Sequence, residues 1–276
     1  MDRIQKALDK AKASQDNVAS SDMKSKSTEP KIKHNDPLAP AIPSIAYTQT
    51  RVVETSQQQL EEKRVIAGTY TNPQSAVFRM LRTQILQKMR TNDWQTLAIT
   101  SPTAGEGKSL ISANLAVAMA MELNQTVLLV DMDMRNPSIK EYFSLDIKKG
   151  LRNYLEEDLE LSDVLINPGV KGMVILPGVG RAENSAELLS SPKMARLVED
   201  LKAQYDSRMI IFDVPPIMQT DDVLLASNYF DCTLLVLEDG KNKEAEITKS
   251  MQLLENHNLI GTVVNKSENP PKHQNY

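Results

Sequence analysis

The chain carries one cysteine, four phenylalanines and one tryptophan, and none of its apolar runs is long. A single cysteine excludes an internal disulfide framework and suits a reducing compartment. Cys232 sits in the largely apolar stretch 232–237, where it reads as a small buried hydrophobe. No apolar run approaches the ~20 residues that a membrane-spanning helix needs, and the N-terminus lacks the apolar core of a secretory signal. A cytoplasmic protein is therefore expected. Basic charge is not in excess either. The formal net charge is −4 and the pI about 5.6, which argues against nucleic acid as a partner. What is present, 276 residues with 41% hydrophobic and 25% charged side chains, suffices for a soluble globular protein with a real core.

The texture changes along the chain. In residues 1–14, Ile4, Ala7, Leu8 and Ala11 share one helical stripe. Residues 15–46 then carry Pro30, Pro37, Pro40 and Pro43 among Ser, Lys, Asp and Asn, with few large apolar side chains. Such a composition cannot offset the entropy of ordering. Residues 1–65 are thus expected to be a short amphipathic N-terminal helix plus a disordered linker, the helix docking on a partner or a membrane surface or simply fraying. A folded domain is expected over 66–266, followed by a mobile polar tail, 267–276, containing Pro270-Pro271.

Within that domain, Asn72-Pro73 opens a helical pattern in which Ala76, Met80, Leu81 and Ile85 recur up to about Met89. Short runs rich in Val, Ile and Leu follow at 96–100, 127–131, 173–176, 209–213, 232–237 and 260–264. They lack polar alternation, as strands covered on both faces do. The intervals are long enough for crossover helices. The expected fold is α/β: a three-layer P-loop NTPase-type architecture, its mainly parallel twisted sheet flanked by helices through right-handed connections.

The chemistry is concentrated in three strand ends. Leu97–Thr100 is followed by Ser101-Pro-Thr-Ala-Gly-Glu-Gly-Lys108-Ser109, and then by an apolar helical segment from Leu110 to Met121. A strand, a Gly-containing loop and a helix in that order make a phosphate cradle, with backbone N–H groups and the positive helix end facing anionic oxygens. Lys108 is placed to reach the outer phosphates and the Ser109 hydroxyl to ligate Mg²⁺. The run Thr103, Ala104, Gly105, Glu106, Gly107, Lys108, Ser109 and Leu110 is the expected nucleotide-contacting segment. The second strand ends in Asp131-Met-Asp133-Met-Arg135 and the third in Asp213-Val-Pro215-Pro216. In a parallel sheet, ligands bind beyond the carboxyl ends of the strands. Mg²⁺ needs few hard protein oxygens when phosphates supply others, so Ser109 with one carboxylate is enough, and Asp213 is the natural partner. Asp131 and Asp133, two apart, share a face if the strand continues: one sits by the metal while the other accepts a proton. Arg135 is expected to neutralise phosphate charge.

These three segments resemble the Walker A, A′ and B motifs of bacterial tyrosine kinases, a likeness extending over roughly residues 70–266. In that family the first motif tolerates a non-Gly residue where Pro102 stands. Further echoes are Leu176-Pro-Gly followed by Asn184–Leu189, the segment Ser191–Leu197, and Gly261-Thr-Val-Val-Asn265. The first eleven residues are similar to the start of autokinases encoded beside exosortase-linked exopolysaccharide loci. The resemblance implies a cytoplasmic enzyme that autophosphorylates on tyrosine with ATP and Mg²⁺ and regulates capsule or exopolysaccharide export. It also implies a membrane polysaccharide co-polymerase as activator, a cognate tyrosine phosphatase, peripheral association with the inner membrane through a partner, and a homo-oligomer. By the same likeness Lys108 and Ser109 hold phosphates and Mg²⁺, Asp133 and Asp213 support the metal, Asp131 is the base and Asn265 meets the adenine.

Two departures from that pattern stand out. The family ends in a cluster of tyrosines, whereas Tyr276 is the only tyrosine after Tyr229, which makes it the expected phosphoacceptor. The family's ring-forming helix reads Glu-x-x-Arg-x-x-Arg, and here Ala76 replaces the Glu before Arg79 and Arg82. Two other readings compete. A division- or partition-type ATPase switch carries a Lys at the position of Thr103. A nucleotide-gated regulatory subunit with little catalysis fits the sparse tail.

Overall fold

The computed structural model describes residues 50–123, 125–203 and 208–268, all within one compact unit of the chain. The stripe at residues 1–14 and the tail residue Tyr276 lie outside these described residues. Chain order begins β1 (Arg51–Val52), α1 (Gln57–Glu62), α2 (Ser75–Thr91), β2 (Thr96–Thr100), α3 (Lys108–Ala120) and β3 (Thr126–Asp131). It continues α4 (Ile139–Tyr142), α5 (Leu151–Glu156), β4 (Ile166–Asn167), β5 (Met173–Leu176), α6 (Ser185–Leu189) and α7 (Pro192–Ala203). The last elements are β6 (Arg208–Asp213), α8 (Asp222–Leu225), β7 (Cys232–Glu238), α9 (Glu244–Leu253) and β8 (Leu259–Asn265).

The strands form one sheet in the order β1-β4-β5-β3-β6-β2-β7-β8, parallel throughout except where β4 meets β5. All six apolar runs of the sequence are strands. Alternate residues of β3 serve opposite faces. Val127 and Leu129 join a core with Leu115, Met119, Ile85 and Met89 from α3 and α2. Leu128 and Val130 join a second core with Leu197 and Leu201 of α7 and Phe212 of β6. With both faces covered, continuous apolar strands are what burial demands. Helix α3 is buried almost all round, and its small residues Ala113, Ala116, Ala118 and Ala120 let it lie close against the sheet. Cys232 is fully buried, and burial pushes its thiol up to about 12, as expected of an inert small hydrophobe.

The fold starts earlier than the boundary at residue 66. β1 pairs in parallel with β4, and α1 is closed by a capping box between Ser56 and Gln59. The Thr55 hydroxyl donates to the Phe143 carbonyl at 2.8 Å. The buried side chain of Asn114 then fixes the stretch that follows. Its Oδ1 accepts from the backbone N–H of Ile66 at 2.8 Å and of Ala67 at 3.1 Å. Its Nδ2 donates to the carbonyls of Arg64 at 2.9 Å and Leu110 at 3.0 Å. Two-residue strands and a Gln-rich helix give no hydrophobic period, so composition alone placed residues 51–65 in the linker.

Arg79 and Arg82 are engaged within the chain. Arg82 pairs with Glu122 at 2.7 Å and donates to the Ala118 carbonyl at 3.2 Å. Arg79 bonds the Ser75 hydroxyl at 2.6 Å and lies over the Tyr70 ring.

Asn114→Leu strands two buried N–H groups, so it should lower the unfolding free energy by about 3 kcal/mol in urea titration. A change below about 0.5 kcal/mol would show that residues 64–67 do not depend on this side chain.

Candidate active site

Because β2, β3, β6, β7 and β8 run parallel, their carboxyl ends share one edge of the sheet, the place where α/β proteins bind ligands. The loop Ser101–Gly107 leaves β2 there and α3 begins at Lys108. Gly105 and Gly107 hold φ of 93° and 92°, a left-handed conformation that glycine adopts without steric cost. Gly107 also lacks room for a side chain, since a Cβ would stand 2.3 Å from Asn265 Nδ2.

Lys108 lies between two carboxylates. Its Nζ is 2.7 Å from Asp133 Oδ2 and 3.6 Å from Asp213 Oδ2, and it also donates to Ser109 Oγ at 3.3 Å. Burial alone favours the neutral amine, but Asp213 and Asp133 outweigh it and raise the pKa, so the ammonium stays charged. Ser109 Oγ donates to Asp213 Oδ2 at 2.6 Å, and Ser112 Oγ to Asp213 Oδ1 at 3.0 Å. Asp213 is fully buried, and burial raises its pKa against these bonds and the Lys108 charge.

Asp131 and Asp133 do not share a strand face. β3 ends at Asp131, paired in register with Asp213, and Asp133 lies beyond it in a turn. Asp133 Oδ1 accepts from the Asn136 N–H at 3.0 Å while Oδ2 faces Lys108. Asp131 turns the other way. Its Oδ2 accepts from the N–H groups of Ser138 at 2.9 Å and Ile139 at 3.0 Å, where α4 starts. Its Oδ1 is buried and makes no hydrogen bond. Burial first, then the charge of Asp213, pushes the Asp131 carboxyl up to about 8 despite the backbone bond from Ile139. Gly178, after β5, leaves space for this carboxylate. A Cβ there would fall 3.0 Å from Asp131 Oδ2 and 2.4 Å from the Pro137 Cβ.

The rest of the loop is bound from outside. Glu106 is fully buried, and its Oε1 accepts from the Thr103 N–H at 3.1 Å, from the Thr103 hydroxyl and from Asn242 Nδ2 at 3.1 Å. Burial pushes this carboxyl up, but the bonds from Thr103 and Asn242 together with the Lys241 charge leave its pKa below the ordinary value. The Ala104 carbonyl accepts from Lys241 Nζ, the Gly105 carbonyl from Lys266 Nζ and the Glu106 carbonyl from Asn265 Nδ2, each at 2.7 Å. Leu110 is half-buried in the first turn of α3. Asn265, expected at a nucleobase, gives one amide N–H to the loop. Arg135, expected at phosphates, forks instead onto the buried Asp222, with Nε 3.2 Å from Oδ2 and Nη2 3.4 Å from Oδ1.

Sequence reasoning missed Ser112, Lys241, Asn242, Lys266 and Tyr142. Ser112 stands one helical turn beyond Lys108, a spacing that signals a shared face. Lys241, Asn242 and Lys266 follow the carboxyl ends of β7 and β8, so the rule that found the aspartates also points to them. Tyr142 is half-buried at the end of α4; burial and then the Asp213 charge raise its pKa, while Lys108 lowers it.

The left-handed loop capping a buried helix, with a lysine and a serine held by strand-end aspartates, defines a P-loop nucleotide-binding protein. In keeping with this, the AAA domain model matches residues 94–260. The tyrosine-protein kinase YwqD of Bacillus subtilis is 33% identical over 218 residues, which cover 78% of this chain and 90% of that protein. The tyrosine-protein kinase Etk of Escherichia coli is 31% identical over 216 residues; these cover 76% of this chain but only 29% of Etk. The crystal structure of the chimerical protein CapA2B2 superposes with a TM-score of 0.67 at 29% identity, covering 79% of this chain and 93% of that one. The chain belongs to the bacterial tyrosine-protein kinase family.

Gly178→Ala drives a methyl into Pro137 and the Asp131 carboxylate. It should cost about 2 kcal/mol of stability in thermal or urea unfolding. An unchanged midpoint would mean that the turn after Asp133 yields freely.

Proposed function

We propose that the chain is an ATP- and Mg²⁺-dependent tyrosine autokinase that moves the γ-phosphoryl of ATP onto a tyrosine hydroxyl. The observation that carries this reading is the meeting of Lys108, Ser109, Asp133 and Asp213 at the mouth of the loop. The donor set suits Mg²⁺ held jointly with phosphates. Among the described residues no cluster of three or more His, Cys, Asp or Glu side chains is arranged to hold a metal alone, whereas a hydroxyl and carboxylates on hard oxygen chemistry are what Mg²⁺ takes beside a nucleotide. Ser109, Asp133 and Asp213 would hold it, and it would neutralise charge between the β- and γ-phosphates.

The chain's own groups do the rest. Lys108, kept charged and aimed by two carboxylates, meets the outer phosphate oxygens and stabilises the charge that spreads over them in transfer. The tyrosine oxygen forms the new bond to phosphorus as the bond to the ADP oxygen breaks. The tyrosine proton passes to Asp131, whose Oδ1 has no hydrogen-bond partner. Tyr276 is the acceptor in this reading.

The same proposal extends to the cell. The resemblance supports a role in exopolysaccharide or capsule polymerisation and export, with a membrane co-polymerase as activator and a phosphatase reversing the modification. No helix among the described residues is long and apolar enough to cross a membrane, which fits attachment through such a partner. Assembly into a homo-oligomer rests on the family likeness; the pairing of Arg82 with Glu122 inside the chain speaks for a contact that does not use this arginine. The lone tail tyrosine favours a second reading, a nucleotide-gated regulatory subunit with little transfer activity.

Incubation with ATP and Mg²⁺ followed by mass-spectrometric mapping separates the two. Wild type should carry phosphate on Tyr276 and Tyr276→Phe should not. Lys108→Met should lose at least roughly a hundredfold in rate. Asp131→Asn should lose transfer while still binding nucleotide. Nucleotide binding with no phosphotyrosine would favour the regulatory subunit.

A further inference from the structure

Peptide planarity gives the outside grip on the phosphate loop a consequence. In a trans peptide the C=O of one residue and the N–H of the next point in opposite directions. Side chains that pin the carbonyls of Ala104, Gly105 and Glu106 therefore also fix the N–H groups of Gly105, Glu106 and Gly107. They aim these amides away from the side where Lys241, Lys266 and Asn265 sit. Backbone N–H groups of such a loop are the anion-binding donors of the cradle, and donors fixed in advance need no reorganisation when an anion arrives.

The grip is itself braced. Glu238 lies 3.3 Å from Lys241 Nζ and 3.1 Å from Lys266 Nζ, so one carboxylate steadies both lysines. Asn242 Oδ1 accepts from the Glu238 N–H at 2.7 Å, while Asn242 Nδ2 reaches Glu106. The Asp239 N–H donates to the Asn265 carbonyl at 3.0 Å, which joins the loop after β7 to the end of β8. Lys266 takes a left-handed φ of 57°, rare for a residue with a side chain. Gly107 completes the fit, because any side chain there would collide with the Asn265 amide.

We propose that Lys241, Asn265 and Lys266 are positioning residues that hold the phosphate loop in its anion-binding form by drawing three successive carbonyls outward. They act through the loop's backbone. The proposal rests on the reading of the loop as a nucleotide site. It further implies that a partner or segment able to draw these lysines away would weaken nucleotide binding without touching the nucleotide.

The test uses the full chain and two probes, Mg-ADP and Mg-tripolyphosphate, the second having phosphates but no base or sugar. Dissociation constants are measured for wild type, Asn265→Asp, the double variant Lys241→Met/Lys266→Met, and Lys266→Arg. The lysine side chains are 41% and 48% exposed, so the double variant should keep the wild-type unfolding midpoint. The double variant and Asn265→Asp should each bind both probes roughly five- to tenfold more weakly. Lys266→Arg, which keeps the donor, should stay close to wild type. A loss confined to Mg-ADP would overturn the proposal, because it would place these side chains at the base. Unchanged affinity for both probes would overturn it as well. A wild-type chain that binds neither probe would instead defeat the nucleotide reading on which it rests, and the clamp with it.

Discussion

The arrangement of the site depends on one ammonium group shared between two carboxylates. Lys108 bridges Asp133 and Asp213, which come from different strand ends, and Ser109 in the next position hydrogen-bonds the second of them. Without the ammonium, two buried carboxylates would face one another with little compensation, a situation that costs several kcal/mol. With it, the first turn of α3, the turn after β3 and the end of β6 are tied at one point. The same point is where a cation and phosphate oxygens would complete the set, so the contact that stabilises the chain by itself is also the one a metal–nucleotide complex would remodel.

The sheet makes this contact possible. β6 lies between β3 and β2, so the aspartates at the ends of β3 and β6 arrive beside the loop that follows β2. On the other side of β2, the loop after β7 and the end of β8 reach the same loop from behind. The loop is thus held between an acidic side, where Asp133 and Asp213 meet Lys108, and a side of lysine and asparagine donors that grips its carbonyls. Asp131, although part of the same motif as Asp133, belongs to a third task. It caps the start of α4 with one oxygen and leaves the other unpaired.

Much of this was legible in the sequence. Continuous apolar runs identified six strands, because strands covered on both faces cannot alternate polar residues. The Gly-Glu-Gly-Lys-Ser run, read with aspartates at two later strand ends, located the site. Side-chain direction was not legible. Asp131 and Asp133 share a face only on a strand that runs on past Asp131, and β3 stops there. Arg135 carried a charge suited to phosphate but found the buried Asp222, a partner 87 positions away. Asn265 suits a base by its amide, and the space at Gly107 that lets this amide reach the Glu106 carbonyl has no trace in the residue types. Residues 51–65 escaped notice because two-residue strands and hydrogen bonds from Asn114 leave no periodic trace.

The central claim is that Ser109, Asp133 and Asp213 are built to share a divalent cation with a nucleotide's phosphates. Calorimetric titration of the wild-type chain with ATP, once with Mg²⁺ and once with EDTA, addresses it directly. The two carboxylates repel bare phosphates and welcome them through the metal, so the account predicts at least about tenfold tighter binding with Mg²⁺. Equal affinity under both conditions would contradict it.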